Sequence, residues 1–363
     1  MTGALMAAGP DWTEPGLFTV APGVHRIPLP LPNDGLRAVN VYAIEAGEDL
    51  ILIDAGWALA ETGGLLDRAL GQLGRGAAEI TRCLVTHVHR DHYTMAVILR
   101  QRFGTQVALG IGDQPSLTSS VQQGRATITG NLRRLQQSGA GPVIRALSEM
   151  FRGRGPAQQV WEYPDEWLKG RTTIELGGRD LLAVPTPGHT QGHTVFADQQ
   201  AGFLFAGDHV LPHITPSIGF EPVTGELPLG DYLRSLRLIL DLPDLRLLPA
   251  HGPVGMSSHT RALELLAHHE DRLDACLSRV AAGEHTAYAA ALALPWTRRG
   301  RRFADLDPFN QMLAVLETGV HLDLLAAQGR LTRTVTDGLI SYALPSPAPP
   351  TTSGPPPTPT VLA

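Results

Sequence analysis

This sequence has few cysteines, no long apolar runs and no excess of positive charge. Its 363 residues contain only two cysteines, Cys83 and Cys276, which argues against a disulfide framework and suits a reducing compartment. No stretch approaches the ~20 consecutive apolar residues of a membrane helix. The formal net charge of −6 provides no global field that would attract nucleic acid or an anionic membrane surface. The first ten residues have neither a basic start nor an apolar run of signal-peptide length, so we expect a cytoplasmic protein that does not contact a membrane.

The composition is nevertheless that of a folded protein, with 43% hydrophobic and 18% charged residues. A chain of this length can form one large domain and a smaller one. We predict a lead-in over residues 1–16, a main domain over 17–257, a smaller domain over 258–344, and a disordered proline-rich tail over 345–363. The side chains with evident chemistry fall in the main domain.

The main domain contains one dense run of metal-ligand side chains, residues 86–93, which reads Thr-His-Val-His-Arg-Asp-His-Tyr. The apolar residues 80–85 before it predict a buried strand, and residues 95–99 after it predict the apolar side of a helix. Residues two apart in an extended segment point the same way. His87 and His89 can therefore bind one metal ion together.

Asp91 and His92 follow beyond the predicted strand end, where the turn can direct them at a second ion. Imidazole and carboxylate ligands suit zinc or a similar transition metal, and three protein ligands per ion leave a position open for water. We interpret this loop as part of a metal site rather than as a histidine-rich loop without a ligand.

Five predicted strands of the main domain end at a histidine or an aspartate, and these residues are Asp54, His87, His189, Asp208 and His251. Random placement would scatter such residues through helices and surfaces. Their repeated position at strand ends, where loops can hold functional groups rigidly, favours a common functional site.

Taken in chain order, residues 87–92, 186–189, 207–209 and 249–252 resemble the successive ligand motifs of the metallo-β-lactamase superfamily of binuclear metallohydrolases. Asp54, in Ile-Asp-Ala-Gly, matches the early aspartate of that family. The resemblance extends over residues 17–255. It implies the α/β (α+β) class and an αββα sandwich, in which two mixed sheets are flanked by helices and the ligands lie on loops along one edge.

The resemblance implies seven metal ligands. His87, His89 and His189 are expected to bind the first ion, and Asp91, His92 and His251 are expected to bind the second. Asp208 is expected to bridge the two ions. A carboxylate between two cations offsets their repulsion, and a shared water loses its proton near neutral pH. We expect two divalent ions, with zinc as the metal and iron or manganese as alternatives.

Other side chains near the motifs have supporting roles in this interpretation. Asp54 is expected to orient a ligand imidazole by accepting its other N–H. His193 and His209 are expected either to be structural or to support ligands, with contact between one of them and the substrate as the alternative. Where the family usually has a glycine, this chain has Tyr93 followed by Thr94, and we predict that Tyr93 reaches toward the substrate.

Differences between subfamilies narrow the expected reaction. The true zinc β-lactamases lack a bridging aspartate, and one major group of them uses a cysteine ligand, whereas Asp208 stands at the bridge here. The pattern is closer to glyoxalase II-like thioesterases, lactonases and RNase Z-type nucleases. We predict a hydrolase in which a metal-bridging hydroxide, oriented by Asp91 as the catalytic carboxylate, attacks the carbonyl of a thioester or related ester. The thioester is expected to be that of coenzyme A, an acyl carrier or glutathione, with a small molecule as the expected substrate class. A lactonase and a metal-dependent endoribonuclease are the alternatives.

Two regions outside the ligand motifs bear on the substrate. Residues 112–165 are predicted to form a helical, arginine-rich insert, which can act as a lid or as a solvated insert. Residues 258–344 resemble, through residues 317–331, the winged-helix appendage of lactamase-like hydrolases, a group that includes an endoribonuclease and thioesterases. The arginines among residues 298–302 can contact phosphate or belong to a solvated loop. Beside a small-molecule substrate, the sequence therefore leaves two alternatives: RNA as a partner, and a metal sensor that reads DNA. It does not determine the oligomeric state.

Overall fold

The structure is a computed structural model that describes residues 11–32, 35–123, 126–152, 160–297 and 300–346. Parts of the predicted segments lie outside these ranges, namely residues 1–10 of the lead-in, residues 347–363 of the tail, Arg125 and Arg154 of the insert, and Arg298 and Arg299 of the arginine-rich run.

The described residues form two β-sheets and a separate hairpin. The larger sheet has seven strands in chain order: β1 (Phe18–Ala21), β2 (Val24–Pro30), β3 (Ala38–Ala46), β4 (Asp49–Ile53), β5 (Ile80–Val85), β6 (Gln106–Gly110) and β7 (Glu166–Leu168). The smaller sheet has five, each hydrogen-bonded to the next: β8 (Thr172–Leu176), β9 (Arg179–Pro185), β10 (Thr194–Asp198), β11 (Phe203–Gly207) and β12 (Arg246–Pro249). The hairpin consists of β13 (Thr332–Thr336) and β14 (Leu339–Ala343).

The described residues also form nine α-helices: α1 (Thr62–Gly71), α2 (Arg90–Phe103), α3 (Gln114–Gln123), α4 (Ala126–Gln137), α5 (Gly141–Met150), α6 (Pro228–Leu240), α7 (Ser258–Ala281), α8 (Ala287–Ala293) and α9 (Pro308–Ala327). The insert is helical through α3, α4 and α5. No helix in the described ranges combines the length and hydropathy that crossing a bilayer requires.

Alternating side chains along the strands divide the apolar core into layers, since successive residues of a strand point to opposite faces. In β4, Leu50 packs in the layer that contains α1 and α2, whereas Ile51 packs in the layer between the two sheets. In β11, Phe205 also lies between the sheets, whereas Leu204 packs in the layer that contains α6, α7 and α9. The resulting order is helix, sheet, sheet, helix, which confirms the predicted αββα sandwich.

The C-terminal helices share a core with the smaller sheet. One cluster of buried residues contains Leu204 of β11, Leu236 of α6, Leu265 of α7 and Val315 of α9. Residues on both sides of the predicted boundary at 257 therefore contribute to the same apolar layer. The helices and the hairpin predicted for residues 258–344 are present, and a side chain of the hairpin is fastened to α9, since the Tyr342 hydroxyl donates to Asp323 over 2.8 Å.

Strand direction brings the five predicted strand ends to one edge of the sandwich. β4 and β5 are parallel, β11 and β12 are parallel, and β9 runs parallel to β11 because each of them is antiparallel to β10. The two sheets are joined at this edge, where the Thr194 N–H donates to the Thr86 carbonyl over 2.8 Å. The loops that follow these strands therefore face one another.

Candidate metal centre

The histidine-rich motif lies across a junction between a strand and a helix. β5 ends at Val85, and His89 is the N-cap residue of α2, with an extended backbone. Asp91 and His92 occupy the first turn of α2. The change from extended to helical backbone is what turns the second half of the motif away from the first.

Seven side chains converge in two groups, and the ligand atoms within each group lie within 4.8 Å of one another: His87, His89, His189 and Asp208; and Asp91, His92 and His251. In the first group, Nδ1 of His89 lies 3.1 Å from Nε2 of His189. Two nitrogens bound to one tetrahedral zinc ion lie roughly 3.3 Å apart, given Zn–N distances of about 2.0–2.1 Å. The separation therefore suits two ligands of one ion.

Asp208 lies between the two groups. Its Oδ2 is 3.5 Å from Nε2 of His189, in the first group. Its Oδ1 is 3.3 Å from Nε2 of His251 and 3.6 Å from Nε2 of His92, in the second group. Asp91 completes the second group, with Oδ2 3.5 Å from Nε2 of both His92 and His251.

Several of these atoms are buried without any hydrogen-bond partner, namely Nε2 of His87, His92 and His251 and Oδ1 of Asp208. A buried polar atom without a partner costs free energy, and a coordinated cation would remove that cost at all four atoms together. Imidazole nitrogens and carboxylate oxygens are also the donor set that zinc and related metals accept. The residues fit two metal ions.

In two of the ligand histidines, His189 and His251, Nδ1 is hydrogen-bonded to a backbone carbonyl. Nδ1–H of His189 donates to the Ser217 carbonyl over 2.8 Å, and Nδ1–H of His251 donates to the Ala38 carbonyl over 2.7 Å. A donated Nδ1–H fixes the tautomer whose Nε2 carries the free lone pair. In the neutral form of both imidazoles, Nε2 is therefore the nitrogen that can accept a hydrogen bond or bind a metal ion.

The Asp54 carboxylate is hydrogen-bonded to two residues of the histidine-rich motif. Its Oδ2 is 2.8 Å from Nδ1 of His92, and its Oδ1 accepts from the Thr86 N–H over 2.8 Å. The Thr86 hydroxyl also donates to Asp54 and lies 3.1 Å from Nδ1 of His87. Asp54 has a φ of +59°, a left-handed conformation that aspartate tolerates better than most residues.

His193 and His209 are both fully buried. Nε2 of His193 accepts from the Asp208 N–H over 3.2 Å, while its Nδ1 lies 2.9 Å from the Thr186 hydroxyl. The ring of His209 lies 5.1 Å from that of Tyr232, centroid to centroid. The structure thus places His193 behind the Asp208 backbone and His209 in an aromatic cluster, and both rings are shielded from solvent.

The predicted contact between Tyr93 and the substrate is wrong. Tyr93 is fully buried in the apolar layer between the larger sheet and α2. Its hydroxyl donates to the Glu162 carbonyl over 2.8 Å, and its ring stacks on Trp161 with centroids 6.2 Å apart. The side chain has no exposed surface for a substrate because it lies on the core face of α2.

Asp113 is a site residue that the sequence reasoning missed. Its carboxylate accepts from the Val88 N–H over 2.8 Å, in the histidine-rich motif, and from the Gly192 N–H over 2.6 Å, in the loop of His189. The Thr190 hydroxyl donates to it as well, over 3.2 Å. Asp113 therefore fixes two ligand loops relative to each other. The signal was present, since Asp113 follows the end of β6 by three residues, much as the ligands follow other strands.

Burial and neighbouring charges decide the protonation states in the centre. Burial, with neighbouring histidines, lowers the pKa of His87 well below its usual range and that of His89 to about 3. Burial alone would raise the pKa of Asp208, but the nearby His251 and His92 reverse this and lower it. Against the opposing effect of burial, nearby carboxylates raise the pKa of His92 to about 10 and also raise that of His251. Neutral imidazoles and ionised carboxylates are the forms that bind metal, so binding at His92 and His251 would release protons.

Solvent reaches the centre on one side. The side chain of Asp91 is 14% exposed, whereas those of His92, His189 and His251 are exposed by 3% or less. His89 is partly exposed as well. His89 and Asp91 are therefore the two ligands with the greatest access to solvent.

Known proteins of one family resemble this chain. A family model described as the metallo-beta-lactamase superfamily matches residues 34–251, which contain all seven clustered side chains. The lactamase-like protein nscB of Aspergillus fumigatus is 28% identical over 243 residues, covering 67% of this chain and 56% of that protein. The atrochrysone carboxyl ACP thioesterase of the same organism is 23% identical over 223 residues, covering 61% of this chain and 39% of that protein. The chain thus spans little more than half the length of the first of these relatives.

The fold also matches a solved structure. A metallo-beta-lactamase family protein from Thermus thermophilus superposes with a TM-score of 0.74 at 26% identity, covering 90% of this chain and 100% of that one. Because 90% of the 363 residues is more than residues 1–251 contain, the likeness includes C-terminal residues beyond 251.

Proposed function

The chain belongs to the metallo-beta-lactamase superfamily, and from that premise we propose that it is a binuclear metal-dependent hydrolase whose substrate is a small-molecule thioester. The observation that carries the proposal is the position of Asp208, whose two oxygens lie against histidines of both ligand groups. A carboxylate placed in this way suits a pair of cations sharing one reaction centre.

In this proposal the two groups bind one ion each, with Asp208 shared: His87, His89 and His189; and Asp91, His92 and His251. When bound, such ions polarise a carbonyl oxygen and make water a nucleophile at neutral pH. Zinc is the ion that we propose, because nitrogen ligands outnumber carboxylates. Elemental analysis of purified protein distinguishes zinc from iron and manganese.

Asp91 is the residue that we assign to proton transfer. It is ionised, because His92 and His251 lower its pKa against the opposing effect of burial. Its side chain is 14% exposed, whereas that of His92 in the same group is fully buried. The carboxylate can therefore accept a hydrogen bond from the attacking water and orient it. Because its pKa is low, it would pass the proton on to the leaving thiolate as the carbon–sulfur bond breaks rather than retain it.

A thioester is favoured over other substrates by the relatives and by the ligand set. One relative is named as an acyl carrier protein thioesterase. The bridging Asp208 and the absence of cysteine from the described ligand groups separate the centre from the true zinc β-lactamases. A lactone presents a similar carbonyl to the same residues, so a lactonase remains the alternative within this mechanism.

RNA is a weaker candidate because three of the described arginines in the two arginine-rich stretches bind groups within the protein. Arg134 donates to the carbonyls of Gly219 and Glu221. Arg152 pairs with Glu149, and Arg302 pairs with Asp305. Surface ion pairs are weak, but they reduce the positive potential that a phosphate backbone requires.

One panel assay tests the proposed function. Protein loaded with zinc is compared with protein stripped by a chelator, on acyl-CoA, acyl-glutathione, a lactone and single-stranded RNA. We expect zinc-dependent hydrolysis of thioesters, with slower turnover of the lactone. RNA cleavage without thioester hydrolysis, or turnover that persists after complete removal of metal, would contradict the proposal.

A further inference from the structure

The loop over residues 217–221 connects three parts of the molecule. Ser217 accepts the Nδ1–H of His189, which ties the loop to the metal centre. The Glu221 carboxylate accepts from the Ser116 hydroxyl of α3 over 2.6 Å, which ties it to the insert. Gly219 lies against α9 so closely that a Cβ there would approach Val320 Cγ1 to 2.7 Å. The loop therefore has little freedom to move.

Phe220, in the middle of this loop, extends from the metal centre to the C-terminal helices. Its ring lies 6.2 Å from that of His89, centroid to centroid, at an interplanar angle of 64°. On its other side it meets Phe309 of α9, with centroids 5.5 Å apart at 78°. Both contacts fall within the range of favourable edge-to-face aromatic pairs.

Phe220 and Phe309 are not fully buried. Both are partly exposed and pack at the margin of the apolar layer that contains α6, α7 and α9. His89, which Phe220 contacts, is one of the two partly exposed ligands. The partly exposed ring of Phe220 therefore lies against a ligand that solvent also reaches.

We propose that Phe220 and Phe309 form an apolar wall that binds the acyl group of the substrate, so that acyl groups larger than acetyl are preferred. This inference rests on the proposed thioester hydrolysis. A carbonyl at the metal centre has two substituents, and an apolar one placed along the wall loses contact with water. Phe309 belongs to α9, so the C-terminal region contributes to specificity.

The size of the effect follows from the nature of apolar pockets. One methylene group more or less in such a pocket changes selectivity by about 10-fold or more. We expect a ratio of kcat/KM for benzoyl over acetyl thioesters above about 10 in the unmodified protein. Phe309→Ala should lower that ratio by about 10-fold, whereas Phe309→Leu should lower it less because the side chain stays apolar.

The experiment uses the N-acetylcysteamine thioesters of acetate, hexanoate and benzoate with the zinc-loaded protein of 363 residues. Phe103→Ala is the matched control, since Phe103 is 45% exposed at the opposite end of α2 from the ligands and should leave the ratio unchanged. A second arm measures binding of free acetate, hexanoate and benzoate by calorimetry, which does not depend on turnover. We expect benzoate to bind more tightly than acetate, and Phe309→Ala to reduce the difference.

The two arms separate the wall from the reaction. Thioester hydrolysis without a preference for benzoyl over acetyl, or with a preference that neither Phe309 variant changes, overturns the wall and leaves the proposed function intact. Preferential benzoate binding that depends on Phe309, without hydrolysis of any thioester, supports the wall and contradicts the proposed function. Melting temperatures of the Phe309 variants exclude unfolding as the cause.

Discussion

Oδ2 of Asp54 lies 2.8 Å from Nδ1 of His92, and both side chains are almost completely buried. The same carboxylate accepts from Thr86, so it holds the motif at its first residue and at its last ligand. Asp54 follows β4 in a left-handed conformation, which carries its carboxylate under the loop. A residue that lies outside both ligand groups thus controls the orientation of a histidine within one of them.

Asp54→Asn should weaken metal binding by about 10- to 100-fold, the usual effect of removing a partner behind a metal-bound histidine. An amide supplies only one acceptor oxygen for the donors that the carboxylate serves. Zinc affinity, measured by competition with a chromophoric chelator, checks this. Asp49→Asn, at the exposed start of the same strand, is the control. Unchanged zinc affinity in Asp54→Asn would show that the loop holds its own shape.

Asp208→Ala should lower kcat/KM by roughly 10²–10³-fold, or about 3–4 kcal/mol of transition-state stabilisation, because both ligand groups lose a shared carboxylate. The amount of bound zinc, measured by elemental analysis, should fall below two ions per chain. His213→Ala is the control, since His213 is exposed and lies outside both groups. Wild-type turnover in Asp208→Ala would eliminate a binuclear mechanism.

Asp113→Asn should destabilise the folded protein and weaken metal binding together. The introduced NH₂ group cannot accept from the Val88 or Gly192 N–H, so one buried donor is left without a partner at a cost of about 1–3 kcal/mol. Urea unfolding of metal-free protein measures the stability, and chelator competition measures the affinity. The exposed Asp180→Asn should change neither quantity. A stable Asp113→Asn variant with normal affinity would mean that the two ligand loops are set independently.

Arg134→Met should destabilise the protein by about 2 kcal/mol, since carbonyls of Gly219 and Glu221 lose a charged donor. The neighbouring Arg133 is exposed, and Arg133→Met is the matched control. Hydrogen exchange of the loop over residues 217–221 should accelerate in the first variant alone. Equal protection of the loop in both variants would contradict an anchoring role for α4.

Truncation after residue 257 should not yield a folded protein. It removes α7 and α9, whose residues Leu265 and Val315 pack in the same apolar layer as Leu204 of the smaller sheet. Exposing that layer should produce aggregation or loss of cooperative unfolding. Truncation after residue 346 serves as the control. A soluble 1–257 fragment with a sharp thermal transition would show that residues 258–344 are an independent domain.

Local sequence determines much of the site. The strand before each ligand is a short apolar run, and the spacing of His87, His89, Asp91 and His92 depends only on how a strand passes into a helix. These features are visible along the chain and carry the resemblance to the superfamily, and it was this resemblance that implied the sandwich and the two groups of ligands. Asp208 and His251 could be added because they also follow apolar strands directly.

Contacts between distant segments could not be predicted in the same way. Tyr93 is buried because Trp161 and Glu162, almost 70 residues later, cover it. Asp113 acquires its role from Gly192, 79 residues away. The apolar layer shared by residues before and after 257 depends on which faces of α7 and α9 pack against the smaller sheet. The composition of these helices does not determine that packing.

The close approach of Gly219 to Val320 affects how this chain can be recombined with its relatives. A C-terminal region taken from another member brings its own side chain to the position of Val320, and a larger one would displace the loop that holds His189 through Ser217. Chimeras joined near residue 257 should therefore exchange residues 217–221 in the same step. An exchange of specificity between relatives should therefore replace two segments, residues 217–221 and the C-terminal region, rather than use a single crossover point.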